Sequence, residues 1–192
     1  KLMEEFIEGK ELTGQEIVAG LKSGFSQGKI YPLVYGSATR CIGASLLLDF
    51  IAQFAPEPEV IGKDNEQPMA LIFKTTSEPG MGQLNYVKVF SGKIGTGMDL
   101  FNFTRKSGER VGQAGYMFGN KRTETPAAAA GEIAVLIKLK NSRTNDILAD
   151  QKMPNEKIQL LPQIKYPQGF LDMAIYTKNK GEEEKIGTAI QT

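Results

Sequence analysis

Few side chains in this sequence can do acid–base or covalent chemistry. Histidine is absent and Cys41 is the only cysteine. That removes the commonest general base, every Ser-His or Cys-His nucleophile pair, an internal disulfide and the cysteine-rich zinc sites. Cys41 has no visible activator and reads as an inert thiol. No catalytic residue and no metal ligand set is assigned. What remains is recognition chemistry. Arg105, Lys106 and Arg110 surround one expected hairpin, and Lys121 with Arg122 another. Such turns can present several cations to phosphate. The competing reading of each is a solvated turn, because charge runs usually serve solubility. Gly80 and Gly82 flank Met81 in a loop best read as a hairpin. Tyr86, Phe90, Phe101 and Phe103 could stack on bases, but aromatics within strand patterns are expected in the core.

The elements that must position these groups change character along the chain. Leu2, Met3, Phe6 and Ile7 make a short helical stripe ending at Gly9. Thr13 and Glu16 have capping-box spacing, Ile17, Leu21 and Phe25 then share one face, and Gly28 suits a helix stop. Ile30 to Tyr35 is apolar throughout and is expected to be a strand. Gly36-Ser37-Ala38 breaks it, and Leu46, Leu47, Phe50, Ile51 and Phe54 predict a helix ended by Pro56 and Pro58. Strand, loop, helix is α/β grammar. After a proline-rich, acidic stretch, segments 69–77, 84–90, 98–104, 109–118 and 132–140 predict consecutive antiparallel strands, hence a small β-barrel. Pro126 and the four alanines after it are too short to nucleate a helix and read as a loop or single turn. Pro154 and Pro162 bracket a connector, Gly169 to Thr177 reads as a strand, and 181–192 as a helix with Ile186 and Ile190 on one side.

The 192 residues suffice for one large domain or two small ones. With 41% hydrophobic and 23% charged residues the chain has an ordinary globular composition. Its 23 basic and 22 acidic residues leave a net charge of +1, so any contact with nucleic acid must use local patches. The chain starts with Lys1, without a signal peptide or an apolar stretch of membrane-spanning length. It is expected to be a segment of a longer cytoplasmic protein.

Leu33 to Ile51, LVYGSATRCIGASLLLDFI, resembles the end of the GTP-binding domain of elongation factor G. KVFSGKIGTG from Lys88 to Gly97 resembles that family's second-domain signature, with Gly92, Gly95 and Gly97 permitting tight or positive-φ backbone. ERVGQ at Glu109 to Gln113, AGEIAVLIKLKNSRTNDIL at Ala130 to Leu148 and YPQGFLDMAIYTKNKGEEEKIGTAI at Tyr166 to Ile190 are further similarities in the family's order. The resemblance implies a multidomain α/β plus all-β fold. Residues 1–56 would be the C-terminal part of the GTP-binding domain, 57–67 a linker and 68–152 the translation-factor β-barrel. Residues 153–165 would be a second linker, and 166–192 the truncated start of an α/β sandwich. Gly36, Ser37 and Ala38 would be the guanine-recognition loop, with the Ala38 N–H aimed at the guanine carbonyl and Ser37 holding the loop's shape. The barrel would dock on small-subunit rRNA, which makes Arg105, Lys106, Arg110, Lys121 and Arg122 candidate contacts.

GTP or GDP with Mg²⁺ is therefore expected in the intact parent, and none tightly bound to this chain. The phosphate-binding GxxxxGK[ST] and the Asn-Lys-x-Asp motif are missing, and Gly62-Lys63-Asp64-Asn65 has the letters of the latter in the wrong order. The chain alone should not hydrolyse GTP. Thr39-Arg40-Cys41-Ile42 after the loop, Met117-Phe118 for the usual Met-His and the alanine tract depart from the family pattern and suggest a divergent member or a paralogue. Ribosomal protection proteins and class II release factors share this domain order. A non-catalytic RNA- or protein-binding barrel is the reading from another class.

Overall fold

The computed structural model describes residues 2–9, 11–78, 80, 82–178 and 181–191. It divides into two units, Lys1–Pro58 and Glu59–Thr192.

The first unit holds helices α1 (Leu2–Ile7), α2 (Gly14–Ser26) and α3 (Ala44–Phe54). The predicted capping box starts α2: Thr13 N–H donates to Glu16 Oε2 at 2.8 Å, and Glu16 N–H to Thr13 Oγ1 at 3.4 Å. Gly28, with φ of 65°, follows its end. Phe25 meets Phe50 edge-on at 5.6 Å, and Phe50 stacks on Phe54 at 4.8 Å. The strand expected over Ile30 to Tyr35 does not form. The backbone finds no ladder partner among the described residues, and Leu33 and Tyr35 stand 92% and 95% exposed. A strand is stable only when neighbours take up its N–H and C=O groups, which this unit does not supply.

The second unit is mostly antiparallel sheet. Its strands are β1 (Met69–Glu78), β2 (Gly82–Ser91), β3 (Lys93–Gly95), β4 (Asp99–Asn102), β5 (Ser107–Arg110), β6 (Gln113–Phe118), β7 (Lys121–Glu124), β8 (Ala127–Ala129), β9 (Ile133–Ile137) and β10 (Ile147–Ala149). Eight pair in the order β5-β4-β10-β1-β2-β9-β6-β7, and β3 pairs with β8. The sheet curls around one core. Ala70 and Ile72, Val87 and Val89, and Ala134 and Leu136 alternate inward on their strands and meet Ile94, Leu100, Ala128 and Leu148. Each large aliphatic so buried contributes about 1.5–3 kcal/mol. The outer face of β1 and β10 carries a second cluster: Met69, Leu71, Phe90, Ile147, Met153 and Leu161. Helix α4 (Asn155–Gln159) lays Ile158 on it, and helix α5 (Glu183–Gln191) comes last.

Several strand expectations are corrected. The run 109–118 is two strands, interrupted where Gly112 N–H donates to Ile137 O at 3.1 Å. Strand β9 stops at Ile137 because Lys138 adopts φ of 63°. The alanine tract is not a loop but β8. A Cβ on Gly95 would lie 2.4 Å from Pro126 O, so only small residues let β3 and β8 approach this closely, and Ala128 is fully buried between them. Residues 169–177, expected as a strand, have no ladder partner among the described residues and form no strand. Ile186 is half-buried, while the Ile190 side chain and Met81 lie outside the described residues. No helix among the described residues is long and apolar enough to cross a membrane.

Candidate nucleotide loop and basic groove

Gly36, Ser37 and Ala38 sit in a loop closed on itself. Ser37 N–H donates to Ile42 O and Ile42 N–H to Ser37 O, both at 3.0 Å, and Cys41 N–H donates to Ala38 O at 3.2 Å. Gly36 is required at its neck, since a Cβ there would lie 2.3 Å from Ile42 O. Ser37 Oγ lies 3.4 Å from Thr39 Oγ1. Among the described residues the Ala38 N–H has no partner, which leaves it free to reach a carbonyl oxygen such as that of guanine. Arg40 is the loop's one cation, and the loop has no carboxylate for Mg²⁺. Its exposed backbone N–H can serve a base edge, and it holds no acidic side chain to ligate a metal ion. Cys41 is exposed, has φ of 53° and points its thiol toward Ala38 O at 3.8 Å.

In the second unit, the turn end of the β1–β2 hairpin, the β4–β5 turn and the loop joining β9 to β10 enclose a polar groove of about 630 Å³. Arg105, Lys140 and Arg143 line it, with Ser77, Gln83, Ser107, Asn141 and Ser142 between them. Two carboxylates lie beneath, and both are consumed by protein donors. Glu109, 3% exposed, accepts from Lys140 N–H at 2.9 Å, Asn141 N–H at 2.7 Å and Ser142 Oγ at 2.8 Å. Asp146, 2% exposed, accepts from Asn102 Nδ2 at 3.0 Å, Arg143 N–H at 2.9 Å and Arg105 Nε at 2.5 Å. Asn102 completes the network by donating to Ser142 Oγ at 3.0 Å and accepting the N–H groups of Thr104 and Arg105. Burial makes such a network rigid when every member is satisfied. It fixes both groove-lining loops. The buried Ser107 Oγ has no partner among the described residues and stands in the groove's lining. Guanidinium, ammonium, hydroxyl and amide groups converging on open space suit phosphate oxygens.

The cations singled out in sequence are placed unequally. Arg105 lines the groove. Lys106, at the turn beside it with φ of 56°, is exposed and forms no ion pair among the described residues. Arg110 pairs with Asp99 at 3.1 Å, and Arg122 with Glu124 at 2.7 Å while also donating to Gln113 at 3.0 Å. Lys121 is exposed on β7, away from the groove's lining. The structure thus brings Arg105 together with Lys140 and Arg143, two cations that sequence reasoning misses. Their only sequence signal is the polar run Lys140 to Asp146 between two apolar strands. The aromatics are structural: Phe90 is buried, Phe101 meets Phe103 edge-on at 5.2 Å, and Lys74 and Lys88 cover Tyr86 and Phe90. The Gly62 to Asn65 letters form a turn fastened to the barrel, where Gly92 N–H donates to Lys63 O and Ala130 N–H to Asp64 Oδ1.

Residues 67–151 match the family described as elongation factor G domain 2. A crystal structure from Thermus thermophilus, that of ttk003000868, is similar over 99% of this chain with a TM-score of 0.78 and 24% sequence identity. That likeness is one of fold. The chain spans 28% of the length of that structure's chain.

Proposed function

We propose that this chain, whose residues 67–151 match the family described as elongation factor G domain 2, works in a ribosome-associated translational GTPase. It carries a guanine-recognition loop in one unit and the ribosome-docking barrel in the other. The observation that carries this reading is the groove of Arg105, Lys140 and Arg143 within the family-matched barrel. Cations on a rigid frame seat an RNA backbone by its phosphates, which positions the protein without reading sequence. Lys106 is poised to extend the contact. Arg110 and Arg122 contribute less, since neither lines the groove.

In the intact parent, Gly36, Ser37 and Ala38 would contact the guanine of GTP or GDP through the free Ala38 N–H. Phosphates and Mg²⁺ would be held by other parts of that parent, and hydrolysis would drive movement on the ribosome. This chain's own contribution is recognition and docking. Co-sedimentation of the intact protein with ribosomes tests the reading. A non-hydrolysable GTP analogue is expected to increase binding, and absence of binding with and without the analogue would overturn the proposal.

A further inference from the structure

The chain leaving the barrel is held at one point. From Pro162 to Lys178, the described residues make only two hydrogen bonds, both to the side chain of Asn145. Ile164 N–H donates to Asn145 Oδ1 at 2.9 Å, and Asn145 Nδ2 donates to the Ile164 carbonyl at 3.2 Å. The amide presents one acceptor and one donor, so a single side chain replaces one rung of a β-ladder. Before this point Leu161 is buried in the outer cluster; beyond it Phe170, Leu171, Met173 and Tyr176 stand in solvent.

Asn145 is itself firmly set. Its φ is 75°, a conformation asparagine adopts more readily than other side-chain-bearing residues. Its N–H donates to Ile72 O at 2.7 Å, and Ile72 N–H donates to Asp146 O at 2.9 Å, pinning both residues to β1. The adjacent Asp146 carboxylate belongs to the network under the basic groove. Neighbouring side chains therefore face two tasks, one toward the groove and one toward the departing chain.

We propose that Asn145 is a positioning residue that sets the direction in which the chain beyond Ile164 leaves the barrel. This does not depend on what the groove binds. Amide hydrogen exchange on the full chain tests it, with Val87 and Leu136 as core references. Asn145→Ala is expected to accelerate exchange at Ile164 at least about tenfold, as for loss of one partly buried hydrogen bond, without changing the references. Asn145→Gly, which accepts the positive φ, should do the same and so separates the lost clamp from backbone strain. Asn145→Asp keeps the acceptor for Ile164 N–H and should restore most of the protection. Spin labels on Thr123→Cys and Leu171→Cys, in a Cys41→Ser background, should give a broader distance distribution once Asn145 is Gly. RNA binding by the Gly variant should match wild type, so failure of the groove reading is scored separately. Unchanged exchange at Ile164 in Asn145→Gly, or an unchanged label distribution, overturns the proposal. If Asn145→Ala unfolds the barrel, the Gly variant decides.

Discussion

Ser142 Oγ lies 2.8 Å from Glu109 Oε1, and through this bond β5 is fastened from inside to the loop between β9 and β10. Glu109→Ala leaves that hydroxyl and the N–H groups of Lys140 and Asn141 without their acceptor. The expected loss is about 2–4 kcal/mol, and about 1–2 kcal/mol for Glu109→Gln, which keeps one acceptor oxygen. Urea unfolding midpoints measure both. Equal stability of the Ala variant and wild type would contradict the network.

Gly92 and Gly97 both have positive φ, 65° and 81°, but different surroundings. A Cβ at Gly92 would lie 2.5 Å from Glu66 O and 2.7 Å from Pro68 Cα, backbone atoms that cannot swing aside; at Gly97 it would meet nothing within 4 Å. Gly97→Ala should cost only the conformational term, about 1–2 kcal/mol. Gly92→Ala should cost about 1–3 kcal/mol more through forced displacement of backbone. Thermal or denaturant unfolding of the pair separates strain from space, and equal losses would refute the distinction.

Lys157 Nζ donates to Glu66 Oε2 at 3.0 Å and holds the Glu66 carboxyl below the ordinary glutamate range, aided by the Lys63 N–H. A pKa depressed in the folded state gives stability that is present above the unfolded value and lost as pH falls through the folded one. The bond ties the segment before β1 to α4. Lys157→Ala should move the Glu66 titration up toward its ordinary position, as read by carboxyl NMR. An unmoved midpoint would show that the ion pair does not form in solution.

Gly36→Ala tests the proposal that the closed loop of Gly36, Ser37 and Ala38 recognises guanine. The added Cβ would meet Ile42 O, so the Ser37–Ile42 bridge must open. In the intact parent, guanine-nucleotide affinity should fall at least about tenfold, with little change in the barrel's thermal unfolding. Unchanged affinity would mean that the bridge does not shape the site.

Helix α2 was legible because its signals are local: the Thr13–Glu16 capping box and an apolar face at helical spacing. Strands β3, β8 and β10, three residues each, are too short to show a period of two, and alanines give no β signal until Gly95 admits them. The run Ile30 to Tyr35 has the composition of a strand without a partner to make it one. The groove was half visible. Arg105 stands out in its turn, but Lys140 and Arg143 join it only through sheet curvature, and Glu109 and Asp146 look like surface charges until their burial is seen.

The central claim, that the barrel docks on RNA through this groove, is tested most directly by salt dependence. The measurement is the affinity of the chain for small ribosomal subunits across a salt series, with Arg105, Lys140 and Arg143 all changed to Gln. Each phosphate contact contributes about 0.7–0.9 to the slope of log affinity against log salt, so a reduction of about 2–3 is expected. An Arg110→Gln and Arg122→Gln pair should leave the slope nearly unchanged. A wild-type slope in the triple variant, or an equal loss in the control pair, would contradict the groove as the docking site.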